Sequence, residues 1–184
     1  MMNTLEVSPV KAMKVISLGL LFLFIFNACS PPGNGSQPNI VLLVADDLGW
    51  NDVGYHGSKI KTPNIDRLAE SGAVLNQFYV MPACTPTRAS LMTGRYTIRY
   101  GLQISVIKPH HRHGLPADER ILPQALKEAG YETAIAGKWH LGLSRPEYLP
   151  TSRGFDHQYG CYNGMIDYVT HTVNNDLEWD AQRV

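Results

Sequence analysis

Apolar and polar positions fall into short blocks that predict strands and helices in alternation. Ile40-Val41-Leu42-Leu43-Val44-Ala45 is a continuous apolar run rich in β-branched residues, the pattern of a central parallel strand covered on both faces. It breaks at Asp46-Asp47-Leu48-Gly49. A helix is predicted next: Thr62 caps it, Pro63 sits in the first turn, Ile65 and Leu68-Ala69 give the stripe, and Gly72 stops it. Ala73 to Val80 reads as a second strand. Cys84 falls in a loop between Pro82 and Pro86, followed by a short helix through Ala89-Ser90-Leu91-Met92 that closes at Gly94. Leu122 to Ala129 is amphipathic and stops at Gly130. Tyr131 to Ala136 then reads as a strand, broken at Gly137-Lys138-Trp139-His140. Beyond Leu143 the pattern is loop-like, punctuated by Pro146, Pro150, Gly154, Gly160 and Gly164. Strands alternating with helices predict an α/β fold, a mostly parallel sheet with helices on both faces.

The amino-terminal block differs. Lys11 and Lys14 precede an apolar stretch from Val15 to Phe26. It is shorter than the roughly 20 residues a spanning helix needs, but suits the core of an export signal. The stretch ends in Asn27-Ala28-Cys29-Ser30, similar to a bacterial lipoprotein signal in which the Cys becomes the lipidated first residue. Pro31 to Pro38 (PPGNGSQP) has nothing to bury and reads as a flexible tether. The expected organisation is therefore an export signal over 1–29, a linker over 30–38 and a folded domain over 39–184. Such a protein would be periplasmic, held to the outer membrane by a lipid on Cys29, or extracellular.

Composition narrows the partners. The chain of 184 residues is long enough for one domain with a core. Its 16 Lys and Arg balance 16 Asp and Glu, so no basic field exists to gather nucleic acid. Apart from Cys29, only Cys84 and Cys161 are present, too few and too far apart for a disulfide scaffold.

Candidate chemistry collects where the predicted strands end, the edge at which open α/β sheets bind ligands. Asp46-Asp47 after a buried strand offers two hard oxygen donors suited to Ca²⁺ or Mg²⁺; equally, one Asp could cap a turn while the other faces water. Cys84 ahead of a helix start, with Arg88 a turn later, makes a nucleophile and a cation over free backbone N–H groups. A buried structural Cys with Arg88 in a surface pair fits the same residues. Lys138 and His140 alternate, so in extended chain both project to one side with Trp139 turned away, able to bind an anion and move protons. Two exposed residues at a strand end would look identical. His110-His111-Arg112-His113 lies in a loop without a neighbouring carboxylate or Cys, and reads as solvated rather than metal-binding.

At Cys84 the pattern meets a known family. Cys84-Thr85-Pro86-Thr87-Arg88 followed by Ala-Ser-Leu-Met-Thr-Gly resembles the motif of type I sulfatases. ADDLGWNDVGYHG (Ala45 to Gly57), GRYTIRYGLQ (Gly94 to Gln103), LPQALKEAGYETAIAGKWHLG (Leu122 to Gly142) and LPTSRGFD (Leu149 to Asp156) agree in order. The wording is nearest to the N-acetylgalactosamine-4-sulfatase, or arylsulfatase B, type. The resemblance runs from Pro38 to Gly160 and implies an alkaline-phosphatase-like sulfatase fold, incomplete at the carboxyl end.

The resemblance also implies roles. A maturation enzyme would oxidise Cys84 to formylglycine, whose hydrate attacks sulfur and later expels sulfate. Asp46 and Asp47 would hold a divalent cation, usually Ca²⁺ with Mg²⁺ as an option, which also contacts the modified Cys84. Arg88 would stabilise the hydrate, Lys138 would bind sulfate, and His140 would sit beside a hydrate hydroxyl. Substrates would be sulfated carbohydrates or aryl sulfates. A later Asp-Asn pair and a later His and Lys of the family are expected to lie outside these residues, so catalysis by this stretch alone is not expected. Two other readings remain open: a phosphatase or phosphodiesterase with Thr85 or another hydroxyl attacking phosphorus, and a catalytically incomplete fragment or glycan-binding remnant without turnover.

Overall fold

The computed structural model describes residues 37–167 and 169–170. The predicted export signal, Cys29 and nearly all of the tether lie outside the described residues, as does everything after Thr170. The chain divides into two compact units, Met1–Ala45 and Asp46–Val184.

In the first unit the described residues are exposed and carry no ladder. This corrects the expectation of a central strand at Ile40 to Ala45: Val41 and Leu43 are 80% and 81% exposed. A β-branched apolar run supplies propensity, but a strand exists only against a partner that takes its N–H and C=O groups. No such partner is present among the described residues.

The second unit holds three α-helices, two strands and several 3₁₀ turns among its described residues. Helix α1 is Pro63–Ser71, with Thr62 before it and Pro63 in its first turn. Thr62 Oγ1 accepts from Gly54 N (2.7 Å) and donates to Asp66 Oδ1 (2.8 Å), tying the helix start to the preceding turn. The predicted strand at Ala73 to Val80 is absent. That segment turns at Leu75, whose carbonyl accepts from Phe78 N, and its apolar side chains are exposed.

Helix α2 is Cys84–Thr93, longer than predicted because Pro86 does not interrupt it. Proline is harmless in a first turn, where backbone N–H groups have no intrahelical acceptor. Gly94 closes the helix in the left-handed conformation, φ 65°, its N–H returning to Ser90 O. Helix α3, Leu122–Glu128, lies where predicted to within a residue.

Strand β1 is Ala134–Lys138, displaced toward the carboxyl end from the predicted Tyr131 to Ala136. Strand β2, His157–Cys161, was not predicted, since its sequence HQYGC shows no apolar run. The two pair in parallel from Ala134 opposite His157 to Lys138 opposite Cys161. Gly160 permits their close approach: a Cβ there would stand 2.2 Å from Gly137 O. The start of β2 is fastened by Asp156, which accepts from Thr133 N (3.0 Å) and pairs with Lys127. The Lys127 ammonium, first, and the Thr133 donors hold the Asp156 carboxyl down at about 2.

The core beneath the sheet joins Ala89 of α2 to Leu102, Ile107, Leu115, Ile121, Trp139, Leu141 and Phe155. Its loops are held by buried Arg153, which donates to the carbonyls of Leu115 (3.0 Å), Pro116 (3.1 Å) and Glu119 (2.7 Å). Trp139 stands edge-on to Phe155 and donates Nε1–H to Tyr148 O (2.9 Å). Its burial turns the flanking residues, Lys138 and His140, the other way. No described helix is long and apolar enough to cross a membrane.

Candidate active site

Cys84 is the first residue of α2, with Ala83 extended before it. Its Sγ lies 3.1 Å from His140 Nδ1. The other ring nitrogen, Nε2, is 2.9 Å from Ile107 O. A carbonyl oxygen can only accept, so Nε2 carries the hydrogen and Nδ1 turns its lone pair toward the thiol. The ring therefore stands as a neutral acceptor aimed at the Cys84 side chain.

The surroundings hold it neutral. His140 is buried, 4% exposed, and burial, followed by the Lys138 charge, pushes its pKa down to about 4. Its backbone is left-handed, φ 59°, a conformation uncommon outside glycine. Gly164 lies flat against the imidazole: a Cβ there would come within 2.4 Å of Cε1.

Thr85 ties these parts together. Its hydroxyl is fully buried, donates to His140 O (2.9 Å) and accepts from Ile107 N (3.1 Å). One side chain thus bonds both the histidine backbone and Ile107, the residue whose carbonyl holds the histidine ring. This corrects the reading of Thr85 as an attacking hydroxyl. It is inaccessible and its hydrogen is committed to a carbonyl.

A second group of contacts lies beside the first. Lys138 Nζ donates to Asp46 Oδ2 (2.7 Å), and Arg88 Nη2 approaches Asp46 Oδ1 (3.4 Å). Arg88 Nη1 donates to Lys138 O at 2.5 Å, joining α2 to the end of β1. The Lys138 ammonium, first, and the Arg88 charge keep the Asp46 carboxyl below its ordinary range, against the effect of burial. Arg88 thus reaches the end of β1 and the carboxylate of Asp46.

Of the predicted site residues, Cys84 contacts His140, and Asp46 contacts Lys138 and Arg88. Asp47 follows Asp46 with φ 58° and forms no hydrogen bond or ion pair among the described residues. Thr85, Ile107 and Gly164 were missed as parts of the site. Thr85 stands inside the Cys84 motif, which was a usable signal. Nothing local marks Ile107 or Gly164, because their roles arise from contacts distant in sequence.

The donor set fits a hard divalent cation in kind. Asp46 is held ionised and Asp47 has no competing partner among the described residues. Calcium, however, takes about six to eight oxygens. No group of three or more His, Cys, Asp or Glu able to hold a metal occurs among the described residues. Two adjacent carboxylates make one side of such a site. The three histidines of the 110–113 loop pack on one another, with ring centroids 4.7 Å apart for His110 and His111 and 4.9 Å for His111 and His113. They form no such group either.

Comparison with known proteins fits this arrangement. The family model described as Sulfatase matches residues 38–183. The chain is 52% identical over 136 residues to mouse arylsulfatase J, covering 74% of this chain and 23% of that protein. It is 43% identical over 149 residues to dog N-acetylgalactosamine-6-sulfatase, covering 73% and 28%. The crystal structure of Ps i-CgsB in complex with k-i-k-neocarrahexaose superposes with a TM-score of 0.69 at 46% identity, over 72% of this chain and 30% of that one. The chain therefore spans less than a third of the length of each.

Proposed function

The chain belongs to the sulfatase family, with its alkaline-phosphatase-like α/β fold, and on that premise we propose that it forms the nucleophile side of a sulfate-ester hydrolase pocket acting on sulfated sugars. One observation carries the reading: the Cys84 side chain faces the lone pair of a neutral, buried His140, beside two cations, Arg88 and Lys138. Sulfatases generally use a formylglycine and a divalent cation.

Cys84 Sγ marks the place of the modified residue's oxygens. The formylglycine hydrate, when formed, supplies one hydroxyl to attack sulfur and a second whose proton must leave for sulfate to be released. His140 Nδ1 stands within hydrogen-bond reach of that position and has no hydrogen of its own, so it takes this proton. Its other nitrogen, bound to Ile107 O, keeps the ring from turning as it does so. A substrate sulfate competes with Asp46 for the Lys138 ammonium, and Arg88 offsets charge from the side of β1. A cation, Ca²⁺ or Mg²⁺, held in part by Asp46 and Asp47 and touching the modified Cys84, would add charge neutralisation there.

The substrate class is supported by the relatives: one is named for sulfated N-acetylgalactosamine, and another was crystallised with neocarrahexaose. Aryl sulfates would serve as small surrogates. Export before or with maturation, and a lipid on Cys29, follow from the sequence of 1–29 and belong to the same proposal.

The deciding experiment is mass spectrometry of the tryptic peptide carrying Cys84, from protein produced with a formylglycine-generating maturation enzyme. The peptide is expected to carry an aldehyde in place of the thiol and to react with a hydrazine reagent. An unmodified thiol in protein that cleaves sulfate esters would overturn the proposal.

A further inference from the structure

A cavity of about 480 Å³ is lined by Pro109, His110, His111, Arg112, Ser144 and Arg145, a few residues along the chain from Ile107 and His140. That volume lies within the roughly 300–1,000 Å³ range of small-molecule sites. Its two walls leave from one point. Ile107 O and the His140 ring are hydrogen-bonded, and the chain runs from Ile107 into one wall and from His140 into the other. The cavity is thus joined to the Cys84 partner His140 through the chain on both of its walls.

The lining has one chemical character. Two arginines, Arg112 and Arg145, are among its lining residues, and no Asp or Glu is. Arg112 forms no ion pair among the described residues. Arg145 approaches Glu147 only at 3.5 Å, between two exposed side chains, an exchange that solvent or a better anion can replace. His111 accepts Lys108 N–H on Nδ1 (3.2 Å), so its Nε2 keeps its hydrogen as a donor. The ring contacts among His110, His111 and His113 hold the loop together without a metal. Planar guanidiniums with N–H donors and a hydroxyl, Ser144, suit a sulfate or carboxylate oxygen set.

We propose that this cavity is an anion-binding subsite that takes a sulfate or carboxylate substituent on a sugar neighbouring the cleaved ester. The inference rests on the sulfate-ester reading above and specifies its substrate as a multiply charged glycan. It gives the 110–113 loop a task that the catalytic residues leave unfilled.

The test follows the imidazole signals of His110, His111 and His140 by NMR in the full chain carrying Cys84→Ala, so that no ester is consumed. Three probes are titrated: sulfated neocarrahexaose, a hyaluronan hexasaccharide bearing carboxylates only, and unsulfated neoagarohexaose. The sulfated probe is expected to move His110, His111 and His140. Hyaluronan moving His110 and His111 alone would identify carboxylate as an accepted form of the anion. Arg112→Gln with Arg145→Gln should weaken the response at His110 and His111 about tenfold or more. Unchanged affinity in that variant, or equal shifts from the neutral probe, would overturn the subsite. A response at His140 with His110 and His111 silent overturns the subsite while leaving the catalytic reading intact. With the sulfated probe, shifts at His110 and His111 with His140 silent keep an anion site and count against the catalytic reading.

Discussion

The two halves of the pocket are built by opposite means. On one side, Cys84, Thr85, Ile107 and His140 form a circuit of hydrogen bonds whose middle is buried. On the other, the Asp46 side chain, 41% exposed, meets Lys138 and Arg88, whose side chains are 15% and 13% exposed, and Asp47 stands free of partners among the described residues. Buried neutral hydrogen bonds are costly to leave unmade, whereas partly exposed ion pairs are weak and screened by salt. The nucleophile side is thus fixed by the fold. The acidic corner is open to rearrangement when a cation or a sulfate arrives.

The sharpest way to break this contrast is Thr85→Val, which keeps the shape and removes the hydroxyl. His140 O and Ile107 N would each lose a buried partner, at about 1–3 kcal/mol apiece. Urea unfolding should show a loss of roughly 2–6 kcal/mol, and the His140 ring should lose its single tautomer in ¹⁵N NMR. Thr85→Ser should restore both. Retention of the tautomer in the valine variant would mean that Ile107 and His140 are held by something other than Thr85.

Gly164→Ala tests the same side from another direction. The new methyl would collide with the imidazole, so the ring or the 162–164 segment must shift. A destabilisation of about 1–3 kcal/mol is expected, as for overpacking elsewhere, together with loss of the Cys84 contact. Free accommodation of alanine, with His140 signals unmoved, would contradict the close packing described above.

How far the sequence foretold this contrast can be read residue by residue. The motif around Cys84 and the GKWH segment pointed to Cys84, Arg88, Lys138 and His140 without a structure, because Cys84 and Lys138 lie at element boundaries where turn residues are conspicuous, with Arg88 a helical turn on and His140 two residues on. Helix α2 was cut short because Pro86 was taken as loop, when its first-turn place makes it compatible with helix. Strand β2 was invisible: only Gln158 and Cys161 of HQYGC are buried, so no apolar period marks it. Thr85, Ile107 and Gly164 matter through contacts far along the chain, which no local pattern encodes. Ile40 to Ala45 and Ala73 to Val80 failed for the converse reason. Their composition states what a partnered strand would look like, and no partner is present among the described residues.

On the acidic side, effects on stability should be small. Asp46→Asn removes the counter-charge, itself on a 41% exposed side chain, of two cations whose side chains are 13% and 15% exposed, and should cost about 1 kcal/mol. Lys138 and Arg88 would then lack their counter-charge, so inorganic sulfate should bind the variant more tightly than the parent at low salt, with the gain fading as salt rises. A stability loss as large as that of Thr85→Val would erase the distinction between the two sides.

The smallest shift in stability belongs to Asp47→Gly, and it isolates ligand chemistry from fold. At φ 58° a side chain with a Cβ carries strain of about 1 kcal/mol, which glycine relieves. Glycine also frees the unfolded chain, at a cost of roughly 0.5–1 kcal/mol. The two nearly cancel, and no side-chain bond among the described residues is lost. Unfolding midpoints should therefore agree within about 0.5 kcal/mol. If Asp47 holds its backbone strain in order to aim a carboxylate at a cation, calcium binding measured by calorimetry should weaken in the glycine variant while the fold stays unmoved. Equal calcium affinity in parent and variant would remove Asp47 from the cation's ligands. A clear loss of stability would instead make it a structural residue of the corner.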